Sequence, residues 1–279
     1  MANPAYAIVA SIIWAFTPIY YGAFMKKFDF LQLNLLRTAL SAAVLATPAI
    51  LFGFGTGIEY ALLSGVVALA LGDSLFLLSI GEMGASIATP VAYTYVFFVQ
   101  LTATAVGERV PASNLVAAIM VVGGVLLISR GGGVRPRAKG TALAVAAALA
   151  WTAGQDMIRL ATNSGGSVVG VAFTRVLAAS VPLAATAMAT GRVRAWPRGY
   201  TRRQYGFLAL VAVGDLAVGS LLYVYSISLV GVAVTVILTS LSPLLTQILS
   251  KALGKESPSG RDYAGGVLIV AAVVLAVIL

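Results

Sequence analysis

The chain alternates between long apolar runs and short polar connections from one end to the other. The hydrocarbon core of a bilayer is about 30 Å thick, so a helix needs roughly 20 apolar residues to cross it. The runs lack the strict alternation of a lipid-facing β-strand, which favours helices over a barrel. The pattern predicts an all-α integral membrane protein with ten transmembrane helices, at approximately 4–24, 31–52, 60–81, 84–106, 112–130, 139–160, 167–190, 205–228, 231–250 and 262–279.

Composition agrees with a chain that resides in lipid. Of its 279 residues, 60% are hydrophobic and 10% are charged, whereas a soluble domain carries roughly a quarter charged residues. Cysteine and histidine are absent, which removes thiolate metal sites and the commonest general base. We therefore predict no metal, no cofactor and no enzymatic activity. The first apolar run is too long and too poor in initial positive charge for a removable signal peptide.

Most of the 18 Lys and Arg residues lie in the connections after the first, fifth, seventh and ninth runs. Positive charge in short loops marks the cytoplasmic side of a membrane protein. The net charge of +9 is therefore interpreted as an orientation signal that places both termini outside, and no nucleic-acid partner is predicted. The residues concerned are Lys26, Lys27, Arg130, Arg135, Arg137, Lys139, Arg192, Arg194, Arg198, Arg202, Arg203, Lys251, Lys255 and Arg261.

The two halves of the chain, residues 1–133 and 134–279, resemble each other. Each half contains five predicted helices, and an odd number threads the second half through the membrane in the opposite direction. Inverted repeats of this kind are common in secondary transporters, whose substrate site lies near the midplane between the repeats. At a constant shift of 147 residues, Ser79 aligns with Ser226, Gly84 with Gly231, Gln100 with Gln247, Gly107 with Gly254 and Pro111 with Pro258.

Short motifs also recur in both halves: a tryptophan in the first helix, an arginine early in the second and a charged tripeptide after the fourth. They are Trp14, Arg37 and Gly107-Glu108-Arg109, then Trp151, Arg175 and Gly254-Lys255-Glu256. With the five-plus-five plan, they resemble the EamA-type members of the drug/metabolite transporter superfamily. The resemblance implies a central cavity inside helices 1–4 and 6–9, peripheral helices 5 and 10, and export or exchange of metabolites such as amino acids. Many such members have cytoplasmic termini, the reverse of what the loop charges indicate.

Four ionisable residues lie deep in predicted membrane helices: Arg37, Asp73, Arg175 and Asp215. Such a side chain is costly in the bilayer unless it faces protein or water, which makes it a functional candidate. One interpretation makes the acids sites for protons or substrate whose protonation changes as a cavity opens, with Asp215 the stronger candidate. The alternative is a pair of buried salt bridges that fixes the register of the helices.

Polar and aromatic residues on shared helix faces extend this candidate site. Polar faces suit the wall of a hydrated cavity, and they equally suit hydrogen bonds between packed helices. Aromatic side chains suit an amphipathic or cationic solute, or ordinary packing. The predicted substrate-binding residues are Trp14, Tyr21, Arg37, Tyr93, Gln100, Trp151, Gln155, Arg175 and Ser242, with Asp73 and Asp215 providing coupling or charge balance.

Three further predictions concern local structure. Pro90 and Pro243 are expected to kink helices 4 and 9. Glu108 is expected to cap a helix end or bind a loop arginine. Asp156 and Arg159, three residues apart, are interpreted as a local pair on the surface of helix 6.

These observations predict a secondary transporter of the cell membrane, working by alternating access through the central cavity. Its cargo would be a small metabolite, either an amino acid or an amphipathic amine, with proton coupling through the buried acids, in a monomer or homodimer. A flippase for a lipid or lipid-linked sugar and a passive channel are the alternatives. A Walker lysine motif is absent from the sequence, which argues against ATP-driven pumping.

Overall fold

A computed structural model describes residues 4–25, 27–83, 85–129, 137–193, 200–253 and 259–278. These residues form helices throughout, apart from the connections and one isolated bridge between Gly55 and Gly166. Glu256 and the basic residues Lys26, Arg130, Arg135, Arg194, Arg198 and Lys255 lie outside the described residues. The helices are α1 (Ala5–Phe24), α2 (Phe30–Phe52), α3 (Ile58–Met83), α4 (Ala85–Ala92 and Tyr95–Thr102), α5 (Ala112–Ser129), α6 (Ala138–Asn163), α7 (Val168–Ala189), α8 (Arg202–Val230), α9 (Val232–Thr239 and Ser242–Ala252) and α10 (Gly260–Ile278).

Within the described residues, six of these helices are long and apolar enough to cross a membrane, by length and composition: α2, α3, α7, α8, α9 and α10. Shorter apolar helices occupy Ala5–Tyr21 and Ala112–Ile128. Large apolar side chains face outward, with Ile50, Leu51 and Phe52 each more than 70% exposed. An outer surface of this kind suits contact with lipid.

Helices α4 and α9 are each broken into two, where the apolar pattern alone predicted continuous helices. Pro90 lies inside the first part of α4, and Pro243 lies in the first turn of the second part of α9. Proline removes a backbone donor and its ring collides with the preceding turn. Pro243 therefore accounts for the break in α9, which directly precedes it, whereas the break in α4 at residues 93–94 follows Pro90 and is not explained by the lost donor of that proline.

Capping side chains define where three of the long helices begin. Asp29 and Gln32 form a reciprocal capping box at the start of α2. Thr201 and Gln204 do the same at the start of α8, and Ser167 accepts from a backbone amide at the start of α7. Each cap satisfies amide groups that the helix itself leaves without partners.

Two helices contain wider, π-helical turns next to the interior. These turns span Gly65–Gly72 in α3 and Val213–Gly219 in α8. At their ends, a Cβ on Gly72 would lie 2.8 Å from Trp151 Cδ1, and one on Gly219 would lie 2.6 Å from Trp14 Nε1. Glycine is therefore required where each tryptophan ring meets a wide turn.

Helices from the two halves of the chain pack against each other. The most extensive pair is α3 with α6, followed by α5 with α10 and by α2 with α7, and α1 packs against both α8 and α9. The main hydrophobic cluster extends through these contacts, and most of its members are fully buried. This packing brings α1, α2, α3, α6, α7 and α8 around one polar interior.

Candidate functional site

Arg37 of α2 lies at the centre of a buried ionic network. Its Nη2 and Nε atoms lie 2.7 and 3.0 Å from Asp215 Oδ2 on α8. Its Nη1 atom lies 3.5 Å from Asp73 Oδ2 on α3 and donates to Asn34 at 3.4 Å. Arg37 is 8% exposed and Asp215 4% exposed, so this is one cation between two carboxylates in the interior.

Aromatic side chains complete the partners of the two acids. The Tyr21 hydroxyl donates to Asp215 Oδ2 at 2.9 Å, and the Tyr21 ring lies 4.8 Å from the Arg37 guanidinium. Trp151 Nε1 donates to Asp73 Oδ1 at 2.9 Å. Trp14 Nε1 donates to the backbone oxygen of Asp215 at 3.1 Å. The hydrogen bonds from Tyr21 and Trp14 to Asp215, and from Trp151 to Asp73, each join one half of the chain to the other, as does the Arg37–Asp215 pair.

Arg175 of α7 lies in a different environment. It is 2% exposed, and it donates from Nε to Ser64 Oγ at 2.8 Å and from Nη1 to Ser220 Oγ at 3.0 Å. Ser64 in turn donates to the backbone oxygen of Gly154. Among the described residues, no carboxylate lies within 4.0 Å of its guanidinium. The two buried acids therefore both contact Arg37, which differs from a symmetric pair of salt bridges.

Four other predicted site residues lie apart from both arginines, with no hydrogen bond or ion pair to either among the described residues: Tyr93, Gln100, Gln155 and Ser242. Gln100 Nε2 donates to the backbone oxygen of Ala233 at 3.0 Å, which links α4 to α9. Ser242 donates to Thr239 within α9, and the Tyr93 ring contacts that of Tyr95. The carbonyl oxygens of Gln100 and Gln155 are buried without a hydrogen-bond partner among the described residues. Gln100 and Ser242 therefore make the helix-to-helix and within-helix bonds of the packing alternative.

Glu108 and Arg159 form a second ion pair, with Arg159 Nε 2.8 Å from Glu108 Oε1. Glu108 also accepts from the backbone amides of Val232 and Ala233 at the start of α9. The prediction that Glu108 caps a helix end is confirmed. The predicted Asp156–Arg159 pair is wrong, because Arg159 turns instead toward the α4–α5 connection. A cavity of about 290 Å³ opens beside this pair.

The connections between helices touch each other at both ends of the molecule. At the basic end, formed by the α1–α2 and α7–α8 connections, Arg192 lies 3.1 Å from Asp29. At the glycine end, formed by the α2–α3 and α6–α7 connections, Ser167 N donates to Phe54 O at 2.9 Å and Thr56 N to Gly165 O at 3.2 Å. Helix α2 begins at the basic end and α7 at the glycine end. Arg37 and Arg175 each follow seven residues later, so their Cα atoms lie about 10 Å from opposite ends.

Three interior residues are absent from the predicted set: Asn34, Ser64 and Ser220. A signal for Ser220 exists in the repeat, because the shift of 147 residues aligns Gly72 with Gly219 and Asp73 with Ser220. The serine thus occupies the position of an acid in the other half. Ser64 has no comparable signal, since serine is common in membrane helices.

Long apolar helices packed around buried ionisable side chains define a multi-pass membrane protein with a polar interior. The sequence profile of the EamA-like transporter family matches residues 4–130 and 138–278. The chain belongs to this family, and the resemblance drawn from its short motifs is confirmed. The family assignment supports a membrane transporter.

Individual relatives agree with this assignment. A protein of Archaeoglobus fulgidus named an uncharacterized transporter is 27% identical over 276 residues, covering 96% of this chain and 95% of that protein. A solved crystal structure, described only as that of a protein, matches 99% of this chain and 98% of its own with a TM-score of 0.84. Its identity is 18%, so this likeness shows the fold alone.

Proposed function

We propose that this chain is a secondary transporter of the plasma membrane that exports or exchanges a small metabolite by alternating access. Ten helices would span the bilayer as two inverted halves, residues 1–133 and 134–279. The cargo would be an amino acid or an amphipathic amine. The observation that carries this proposal is the ionic network in which Arg37 binds Asp215 across the two halves at 2.7 Å.

The network supports alternating access because it ties together helices that would move relative to each other. Rocking of one half against the other is the usual motion of inverted-repeat transporters. Such a motion would separate α2 from α8 and leave Arg37 and Asp215 with solvent or solute as partners. Protonation of Asp215 would weaken the same contact, which offers a route for proton coupling.

The connections at the two ends support the same motion. The Arg192–Asp29 pair closes the basic end, and backbone hydrogen bonds close the glycine end. A carrier needs one barrier to open while the other stays closed. With both ends in contact, the described arrangement corresponds to an occluded state between the two open ones.

The test is solute exchange in proteoliposomes with Asp215→Asn. The variant keeps the shape of the side chain and removes its charge, so we expect exchange to fall at least about tenfold while the purified protein keeps a cooperative melt. Glu59→Gln is the matched control, because Glu59 is an exposed acid at the start of α3. Exchange by Asp215→Asn at the wild-type rate and pH dependence would remove this residue from the mechanism.

A lipid or lipid-linked sugar flippase is the second candidate, favoured by one observation. An apolar groove of about 610 Å³ runs between α9 and α10, with Lys251 at one end and Val270 and Val274 along it. Transfer of a fluorescent lipid between leaflets in the same vesicles would support this candidate. Flux that rises without saturation and shows no exchange would instead indicate a channel.

A further inference from the structure

The surroundings of Arg175 contain more hydrogen-bond donors than acceptors. Ser64 of α3 and Ser220 of α8 accept from the guanidinium, and each hydroxyl still carries a proton of its own. The Ser64 hydroxyl donates its proton to Gly154 O. The Ser220 hydroxyl proton therefore remains to be donated to another acceptor. Tyr223 lies one helical turn beyond Ser220, and its buried hydroxyl has no hydrogen-bond partner among the described residues.

Tyr223 belongs to the same site as Arg175. Tyr223 follows Ser220 by three residues, so the two lie on the same side of α8, and Arg175 and Tyr223 are both 2% exposed. The Tyr223 ring lies 5.1 Å from that of Trp14, which forms an aromatic wall on its other side. One guanidinium and two hydroxyl donors therefore converge from α7 and α8 beside an apolar surface.

The comparison with Arg37 identifies what this site lacks. A buried cation loses its hydration, and only a charged partner with good geometry offsets that loss. Arg37 has such partners in Asp215 and Asp73, whereas Ser220 stands at the position that the repeat aligns with Asp73. Among the described residues, Arg175 therefore has neutral hydrogen-bond partners and no carboxylate within 4.0 Å, surroundings that an added anion would suit.

We propose that Arg175, Ser220 and Tyr223 bind the carboxylate of the transported solute. This proposal rests on the transport function proposed above and narrows its cargo to carboxylate-bearing metabolites. A carboxylate suits the site because a single guanidinium balances one negative charge and donates to both of its oxygens. The Trp14–Tyr223 wall would then contact the rest of the solute. Simple amines, which lack the carboxylate, would be excluded.

The first experiment compares matched ligands on the detergent-purified full chain. Each proteinogenic amino acid is tested in a thermal-shift assay beside the amine that remains after its carboxylate is removed, such as phenylalanine beside 2-phenylethylamine. A ligand that binds only the folded state raises Tm as its concentration rises. Any amino acid that raises Tm is then tested for counterflow in proteoliposomes.

The outcomes separate this proposal from the transport function. Shifts and counterflow with amino acids, and neither with their amines, would support the carboxylate site. Equal or better responses to the amines would overturn it and leave the transporter standing. Absence of binding and exchange with every compound would overturn both.

A variant tests the site directly. Ser220→Asp gives Arg175 the kind of partner that Arg37 has in Asp73, so the new carboxylate would occupy the place of the solute. We expect the Kd for the best amino acid to rise by about thirtyfold or more and Tm without ligand to increase. Ser220→Asn, similar in size but neutral, is the control and should change Kd by less than about tenfold.

A purely structural Arg175 predicts a different result. In that case Ser220→Asp would change Tm and leave the Kd at its wild-type value, which would overturn the proposal. If Ser220→Asp does not fold, Tyr223→Phe removes only the unpartnered hydroxyl and should weaken amino-acid binding by about tenfold. Unchanged binding by Tyr223→Phe would likewise count against the carboxylate site.

Discussion

Arg37 and Arg175 occupy equivalent positions in the two halves of the chain, and their surroundings differ in charge. Arg37 lies between two carboxylates and under a tyrosine ring. Arg175 binds two serine hydroxyls. Both guanidinium groups are buried, so the difference does not come from access to water. It comes from the acids: one from each half reaches Arg37, whereas none of the described residues places a carboxylate within 4.0 Å of Arg175.

The difference shows how two similar halves of one chain can hold two kinds of site. Both halves keep the arginine in their second helix and the tryptophan in their first. At the shift of 147 residues, Asp73 aligns with Ser220 and Asp215 aligns with Ala68. Two differences in residue type therefore separate an internally neutralised cation from one that has neutral hydrogen-bond partners.

Replacement of a buried arginine should have the largest effect on the free energy of unfolding. The losses should also differ strongly between Arg37 and Arg175. Arg37→Met leaves Asp73 and Asp215 buried without a countercharge, which should lower the free energy of unfolding by about 3–5 kcal/mol. Arg175→Met leaves only hydroxyl groups, which should lower it by about 1–2 kcal/mol. The measurement is unfolding of both purified variants in mixed micelles of mild detergent and SDS.

The double variant Arg37→Met/Asp215→Asn provides the control for this comparison. Neutralising one of the two acids that have lost Arg37 as a countercharge should recover part of the lost stability, because less negative charge stays buried. Equal losses for the two single variants would mean that the carboxylates do not distinguish the two arginines.

A smaller effect is expected where the tryptophans meet the wide turns. Gly219→Ala places a methyl group 2.6 Å from Trp14 Nε1, the atom that binds Asp215 O. Gly72→Ala does the same 2.8 Å from Trp151 Cδ1. Overpacking of this kind costs about 1–3 kcal/mol, so both variants should melt at lower temperature.

Gly81→Ala is the matched control, because an added Cβ there meets no atom within 4 Å. Alanine is the better helix former by about 1 kcal/mol, so this variant should melt at the wild-type temperature or above it. If Gly219→Ala and Gly81→Ala melt alike, the close contact between Trp14 and α8 is not rigid.

The sequence was sufficient to predict the positions of the helices and the four buried charges. Apolar runs long enough for a bilayer are determined by composition, and the shared motifs identified the family. The arrangement of the ion pairs was beyond prediction, because it depends on how each helix is rotated about its axis. Asp73 turns toward Arg37 rather than Arg175, and neither its depth nor its spacing specifies that direction.

Rotation of helices also explains the error at Arg159. A spacing of three residues permits contact with Asp156, but Glu108 approaches from the α4–α5 connection and binds both Arg159 and the start of α9. A partner far away in the sequence thus replaces the local one. The break in α9 was easier to anticipate, because proline acts through its own backbone.

The smallest effects are expected at the two ends of the molecule, where two ion pairs differ in exposure. The Arg192 and Asp29 side chains are 38% and 34% exposed, whereas those of Arg159 and Glu108 are 21% and 7% exposed. Exposed pairs contribute about 0–1 kcal/mol and are screened by salt. We expect a double-mutant cycle with Arg192→Gln and Asp29→Asn to give a coupling energy below about 1 kcal/mol that disappears at high salt.

The cycle with Arg159→Gln and Glu108→Gln provides the contrast. Glu108 also binds two backbone amides, so its pairing with Arg159 is held in place and should give about 1 kcal/mol that persists in salt. In the proposed transport cycle, the basic end, held by the weaker pair, would then open more readily than the end near Glu108. A larger coupling energy for Arg192–Asp29 than for Arg159–Glu108 would reverse this order and make the basic end the firmer barrier.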